Sequence, residues 1–243
     1  MTDTPTHTAT VEDVYPITPR VKGFRLRVPG HTFSHDPGQH VTVRFDSGDE
    51  EIVRPYTPTT RPGSEQFSLA IKRYDDGLAS SYMHTKRPGD EVTIGEPEGN
   101  FGLADVDRDA AFVSTGTGIT PMLAMCRQYL AEGGGNATFL FGERDEASII
   151  HRGTLNELAA EHANLDLVFT LSRPNWEWTG RAGYVQEHLA DVFGDGGGSA
   201  ETEFYVCGVP EMVVDTKDRL RELGTPAERI HSEGWEEGAV EEG

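Results

Sequence analysis

Ala110-Ala111-Phe112-Val113-Ser114-Thr115-Gly116-Thr117-Gly118-Ile119-Thr120-Pro121 changes character halfway along. Ala110 to Ser114 is a continuous apolar run, the pattern of a strand buried on both faces. Gly116 and Gly118 then make a tight turn, and a helical pattern runs from Pro121 to Ala131. Such a turn leaves backbone bare for a pyrophosphate, and the following helix start supplies positive potential. Gly116, Thr117, Gly118, Thr120 and Pro121 are therefore candidate dinucleotide contacts. The spacing departs from the usual G-x-G-x-x-G.

Strands and helices alternate from here to the end. Helices are expected over Thr154 to His162, Val185 to Phe193 and Glu211 to Leu223. Between them come strands at Ala137 to Phe141, Leu167 to Leu171 and Phe204 to Cys207. This order predicts a doubly wound parallel α/β sheet, which binds ligands at the carboxyl ends of its strands. The first hundred residues read differently. Lys22 to Val28, His40 to Phe45 and Gln66 to Arg73 alternate with period two. Pro-Gly turns at Pro37, Pro62 and Pro88 break them up, and one short helix is expected from Leu78 to Thr85. The expectation is a two-domain chain: an N-terminal antiparallel β-barrel, residues 1–105, then the α/β domain, residues 106–243, with a boundary near residues 103–108.

The charge balance bounds the partners. Forty-one acidic residues stand against 21 basic ones, a formal −20, and only four of the basic residues are Lys. Such a surface repels nucleic acid and anionic membrane. High acid with little lysine also resembles proteins of salt-loving microbes, where salt screens self-repulsion. Two cysteines, Cys126 and Cys207, are too few for a plant-type iron–sulfur cluster or a disulfide framework. No apolar run approaches a membrane span and no secretory signal is visible, so a cytoplasmic protein is expected. The nine histidines show no spacing typical of a metal site, and no metal is expected.

Three further segments carry chemistry. Arg54-Pro55-Tyr56-Thr57 puts a planar cation, an aromatic face and a hydroxyl on an extended segment. That set suits a phosphate, a flavin ring and a ring nitrogen; the alternative is an edge strand with a surface Arg and a packed Tyr. Gly77-Leu78-Ala79-Ser80 opens the short helix, where backbone N–H groups meet an anion; a flavin pyrophosphate there favours FAD over FMN. Ser80 as a plain helix cap is the alternative. Cys207-Gly208 is a second strand-to-helix turn, with Cys207 at a strand's carboxyl end; a small buried hydrophobe is its bland reading. Glu233-Gly234-Trp235 follows the last expected strand, either as an acidic tail or as an aromatic that returns to the flavin, with Glu233 as a nearby proton relay.

Together these segments resemble the ferredoxin–NADP reductase superfamily, from about Val11 to Trp235, and most closely the reductase modules of flavohaemoglobins and oxygenase reductases. Arg54 to Thr57 looks like the flavin motif R-x-Y-[ST], and Gly77 to Ser80 like the pyrophosphate motif G-x-x-S. Gly116 to Pro121 resembles G-x-G-x-x-P, Cys207-Gly208 the C-G pair beside the nicotinamide, and Glu233 to Trp235 the closing E-x-aromatic element. Gly95 to Phe101 only approximates G-P-x-G-x-F, because Glu96 interrupts it, and receives no site role. The resemblance implies FAD, an NAD(P) dinucleotide and hydride transfer between them, with Thr57, Cys207 and Glu233 nearest the reacting atoms.

NADP is favoured over NAD, because Arg144, Ser172, Arg173 and Arg181 follow successive strand ends and offer donors to a 2′-phosphate. With no globin or cluster domain attached, the resemblance implies a separate acceptor, such as a ferredoxin, and a monomer. Alternatives are a free-flavin or ferric reductase and a non-catalytic electron-transfer subunit.

Overall fold

Strand pairing separates the chain into an antiparallel and a parallel sheet. The computed structural model describes residues 5–194 and 201–234. It divides between Gly102 and Leu103 into two units.

The first unit contains β1 (Thr6–Thr18), β2 (Val21–Arg27), β3 (Val41–Ser47), β4 (Glu50–Tyr56), β5 (Gln66–Lys72), α1 (Leu78–Thr85) and β6 (Glu91–Gly95). The six strands are ordered β4-β3-β6-β1-β2-β5, all antiparallel. The chain leaving β4 turns the sheet towards closure. Thr59 N–H donates to Ser68 O on β5 at 2.9 Å, and Ser68 N–H donates to Thr60 Oγ1 at 3.2 Å. Val11, Phe24, Leu26, Val43, Phe67, Leu69 and Ile94 point inward and form the core. Each such side chain contributes about 1.5–3 kcal/mol on burial.

Strand β1 was not legible in the alternation, because Thr6 to Thr10 is polar and Pro16 looks like a breaker. It nevertheless lies between β6 and β2. Only Thr6 to Thr10 pair with β6, so the Pro16 end has a free edge and forfeits no ladder bond there. Strand β4 is the second arm of a hairpin: Ser47 pairs with Glu50 across Gly48-Asp49, and Gly48 has φ 67°. That two-residue turn, glycine in the left-handed region, was a readable signal. Helix α1 has the expected limits, begins after Gly77 and buries Ala79, Ser80 and Met83. Its Tyr82 stacks on Phe45 of β3 at 4.0 Å, with Lys86 Nζ 4.2 Å from the Tyr82 ring centroid.

The second unit contains β7 (Ala110–Thr115), α2 (Ile119–Glu132), β8 (Ala137–Glu143), α3 (Arg152–Glu161), β9 (Leu165–Leu171), β10 (Arg181–Ala182), α4 (Leu189–Phe193), β11 (Glu203–Gly208), α5 (Pro210–Glu222) and β12 (Ile230–Gly234). Its strands run parallel in the order β10-β9-β8-β7-β11-β12. The chain moves outward on one side from β7 to β10, then crosses back to β11. The order therefore reverses between β7 and β11, and that is where such sheets bind ligands.

Three expectations change. The helix expected over Val185 to Phe193 is a 3₁₀ turn, Val185–His188, followed by the short α4. Glu233 does not follow the last strand; it belongs to β12, which pairs with β11. The short β10 was not anticipated either. Trp235 and Gly196 to Gly198 lie outside the described residues. Among the described residues no helix is long and apolar enough to cross a membrane.

Candidate functional site

In the first unit, Arg54 and Tyr56 sit two residues apart on β4 and so share a face of the sheet. Their cross-strand partners are Val43 and Val41. Tyr56 packs against the core cluster, which fixes its ring. Arg54 is half-buried and spends Nη1 on the Val53 carbonyl at 2.8 Å, leaving the rest of the guanidinium fork for an anion. Pro55 lies between them on the opposite face, and Thr57 is buried at the strand end.

Helix α1 packs on β4 and β5, which brings Gly77 to Ser80 beside this strand. Gly77 carries no side-chain cap, and the N–H groups of the first turn, from Leu78 onward, have no acceptor within the helix. Ser80 is buried and inward-looking. Its hydroxyl donates to Gly77 O and accepts from Tyr74 N–H, both at 3.2 Å. Ser80 therefore shapes the turn, and the backbone N–H groups of the helix start are left to meet an anion. A guanidinium, an aromatic ring and an uncapped helix start form a donor set that fits FAD.

In the second unit, Gly116 and Gly118 occupy a 3₁₀ turn between β7 and α2. Gly116 has φ 55°, a left-handed conformation that favours glycine. Gly118 has a different reason. A Cβ there would lie 2.3 Å from the Cys207 carbonyl oxygen and 2.7 Å from the Gly208 nitrogen. Gly208 is less rigidly confined: its Cβ would lie 2.3 Å from Met212 Cε and 2.4 Å from Thr115 Oγ1, both side-chain atoms. The two turns singled out in the sequence thus meet backbone to backbone at the reversal between β7 and β11. Thr120 Oγ1 closes the turn on Thr117 O at 3.0 Å, and Pro121 is buried in the first turn of α2.

Ser114 Oγ and Thr115 Oγ1, at the carboxyl end of β7, are enclosed without a hydrogen-bond partner. Buried hydroxyls are normally satisfied, so these two fit a crevice that expects a polar ligand. With the bare glycines and an N-terminus of α2 lacking a side-chain cap, the donor set fits a dinucleotide pyrophosphate.

Cys207 is fully buried. Burial pushes its thiol well above the ordinary range, and the Glu233 charge adds to the effect. Glu233 is its register partner on β12 and is half-buried. Such a thiol is held protonated at neutral pH and is no nucleophile. Cys126 is likewise core, pushed up to about 12 by burial.

The expected 2′-phosphate donors partly assemble. Arg173 N–H donates to Arg144 O at 2.7 Å and Ser172 N–H to Glu143 O at 3.0 Å, which sets the ends of β8 and β9 side by side. Arg144 is exposed, with Nε 3.3 Å from Asp145 Oδ2. Arg181 is tied instead to Asp191 at 3.2 Å.

One cluster was not foreseen. The histidines lack metal-site spacing in sequence, yet folding collects His7, His31 and Glu96, their ligand atoms all within 4.8 Å. A spacing rule sees ligands on one helix or loop. These come from three.

The comparisons with known proteins agree with this geometry. Residues 8–102 match the oxidoreductase FAD-binding domain, and residues 112–218 match the oxidoreductase NAD-binding domain. Ferredoxin--NADP reductase B of Sorangium cellulosum is 34% identical over 232 residues, covering 92% of this chain and 95% of that protein. The ferredoxin reductase component of a 3-ketosteroid-9-alpha-monooxygenase from Mycolicibacterium smegmatis is 34% identical over 82% of this chain, which spans 55% of that protein. Among solved structures, the CS-b5R domains of human Ncb5or superpose with TM-score 0.85 at 26% identity, over 95% of this chain and 70% of that one. With an FAD cradle in one unit and a dinucleotide crevice in the other, the chain belongs to the ferredoxin–NADP reductase superfamily and is an FAD-dependent NAD(P)H oxidoreductase that passes electrons to a partner.

Proposed function

We propose that the chain oxidises NADPH and delivers electrons to a small carrier protein such as a ferredoxin, acting as a monomer in the cytoplasm. The observation that carries the NADPH preference is the pairing of Arg144 with Arg173 by the backbone bond between them. Two guanidinium groups leaving adjacent strand ends suit a 2′-phosphate. An NADH enzyme often has a carboxylate in this region for the ribose hydroxyls. Both carboxylates beside Arg144 are engaged: Glu143 Oε2 accepts from Arg144 N–H at 3.0 Å, and Asp145 caps the next turn, its Oδ1 accepting from Ser148 N–H at 3.1 Å and Ser148 Oγ at 2.8 Å. The Ser148 bonds, helped by Arg144, hold the Asp145 carboxyl below the usual range.

Bound FAD supplies the step from two-electron donor to one-electron acceptor. The protein's work is placement. Arg54 and the start of α1 hold phosphate, Tyr56 offers a fixed ring face, and Gly118 and Gly208 let the dinucleotide reach backbone. A ferredoxin as acceptor is supported by the similarity along nearly the full length of the Sorangium reductase.

The purified protein should be yellow and bleach anaerobically with NADPH faster than with NADH at equal concentration. The reduced protein should then reduce a ferredoxin. Equal rates with the two nucleotides would reject the NADPH reading. Failure to reduce ferredoxin, with rapid reduction of free flavin or ferric chelates, would reject the carrier.

A further inference from the structure

We propose that His7, His31 and Glu96 form a binding site for a divalent transition-metal ion of the zinc class on the FAD-binding unit. His7 is the second residue of β1, held in ladder register with Ile94. Glu96 follows β6 by one residue, and its N–H donates to Pro5 O at 3.3 Å. His31 stands on the turn after β2, where Gly30 has φ 73° and donates its N–H to Glu65 Oε1 at 3.0 Å. His31 N–H also donates to Val28 O at 3.2 Å, so each of the three residues is anchored through its backbone.

The two imidazoles stack, ring centroids 3.9 Å apart and 26° between planes. The edge of buried Phe33 supports both, 4.6 Å from the His31 ring and 5.8 Å from the His7 ring. Glu96 Oε1 lies 2.5 Å from His7 Nε2 and 3.5 Å from His31 Nε2. His31 Nε2 is enclosed and makes no hydrogen bond. A stacked pair of imidazoles with one idle, buried nitrogen facing a shared carboxylate oxygen is poorly explained as packing alone.

Metal geometry explains it. Zinc takes nitrogen at about 2.0–2.1 Å and carboxylate oxygen at about 2.0–2.2 Å, so two ligands of one tetrahedral ion stand roughly 3.3–3.5 Å apart. His31 and Glu96 already have that separation. His7 and Glu96 sit at hydrogen-bond length and must open by about 1 Å, and the stacked rings must turn so that both ring nitrogens point at one ion. The ion takes the place of the hydrogen bond between His7 Nε2 and Glu96 Oε1, and the ring hydrogen of the neutral imidazole then resides on Nδ1. Two imidazoles and one carboxylate leave a fourth position for water, and the half-buried side chains leave room for it. Imidazole excludes magnesium and calcium, which demand oxygen shells.

This location is separate from the flavin cradle. His7 pairs with Ile94, Ile94 with Val43, and Val43 with Arg54, so three strand spacings intervene. That is roughly 14 Å of sheet. A bound ion would tie the start of β1 to the end of β6 and to the turn after β2, and so stabilise the unit.

Zinc titrated calorimetrically into tag-free, chelator-treated, FAD-loaded protein should bind with one-to-one stoichiometry. His31→Ala and Glu96→Gln should each weaken binding about 100-fold, since even outer partners of a ligand account for roughly 10–100-fold. Zinc should raise the melting temperature of the parent protein but not of these variants, and magnesium should do neither. Retained flavin absorbance shows that each variant is folded. Unchanged zinc binding in a triple variant, His7→Ala with His31→Ala and Glu96→Gln, would assign the ion to surface carboxylates and overturn the site. So would the absence of any stoichiometric zinc binding to the parent protein.

Discussion

Gly118 and the carbonyl of Cys207 are so close that a β-carbon on Gly118 would lie 2.3 Å from that oxygen. No rotamer relieves such a contact, because both partners are backbone. Gly118→Ala must therefore push the two turns apart, at about 1–3 kcal/mol. The displacement falls where the pyrophosphate is expected. Isothermal titration should find NADPH affinity sharply reduced while FAD absorbance is intact. Wild-type nucleotide affinity in this variant would show that the close approach serves packing alone.

Arg54→Ala removes a half-buried guanidinium, one nitrogen of which is bonded to the Val53 carbonyl and whose remaining donors are assigned to the flavin phosphate under the proposed function. A charge-assisted hydrogen bond of this kind contributes about 1.5–3 kcal/mol, roughly tenfold to a hundredfold in affinity. FAD retention on desalting and FAD affinity by fluorescence should both fall. Full occupancy with unchanged affinity would remove Arg54 from the flavin site.

Replacing Arg144 and Arg173 with Gln should raise KM for NADPH far more than KM for NADH, because only the former loses its phosphate partners. Both side chains are exposed, so little stability should be lost. Equal changes for the two nucleotides would refute the 2′-phosphate assignment.

Cys207 is fully buried and its thiol is pushed up, so native protein should resist alkylation at this residue until unfolded. Cys207→Ala should still slow single-turnover flavin reduction, with FAD bound, through altered shape beside Gly118. Stopped-flow bleaching at the wild-type rate would leave Cys207 without a part in positioning nicotinamide.

His151 has φ 55° and an enclosed Nε2 with no partner. Burial, then the Arg127 charge, lowers it to about 4. The sign follows directly. The unfolded chain takes up this proton near about 6.5 and the folded chain only near 4. Stability is thus fully present above about pH 6.5 and is lost as pH falls towards 4, by up to about 3 kcal/mol. His35, His40 and His84 are also lowered, chiefly by burial, and act in the same direction. His151→Asn tolerates the left-handed backbone and should flatten the urea-midpoint profile over this window. An identical profile for the variant would place the acid lability elsewhere.

Ala110 to Pro121 and Leu78 to Thr85 were legible because their signals are local. A continuous apolar run, a glycine turn and a helix start each act on neighbouring residues, so residue order alone predicts them. Arg54 to Thr57 and Cys207-Gly208 were legible for the same reason. Strand β1 was not, since a polar strand is stabilised by the two partners it lies between, and β propensity reflects that context. Glu233 was misplaced after the last strand because β12 forms only by pairing with β11. The contact of Gly118 with Cys207, the alignment of Arg144 with Arg173, and the convergence of His7, His31 and Glu96 are properties of strand order and register. Those depend on which strands become neighbours, a choice made by burial of the whole core. Sequence order thus determined the chemical groups and the turns that present them; the tertiary structure decided which of those groups meet.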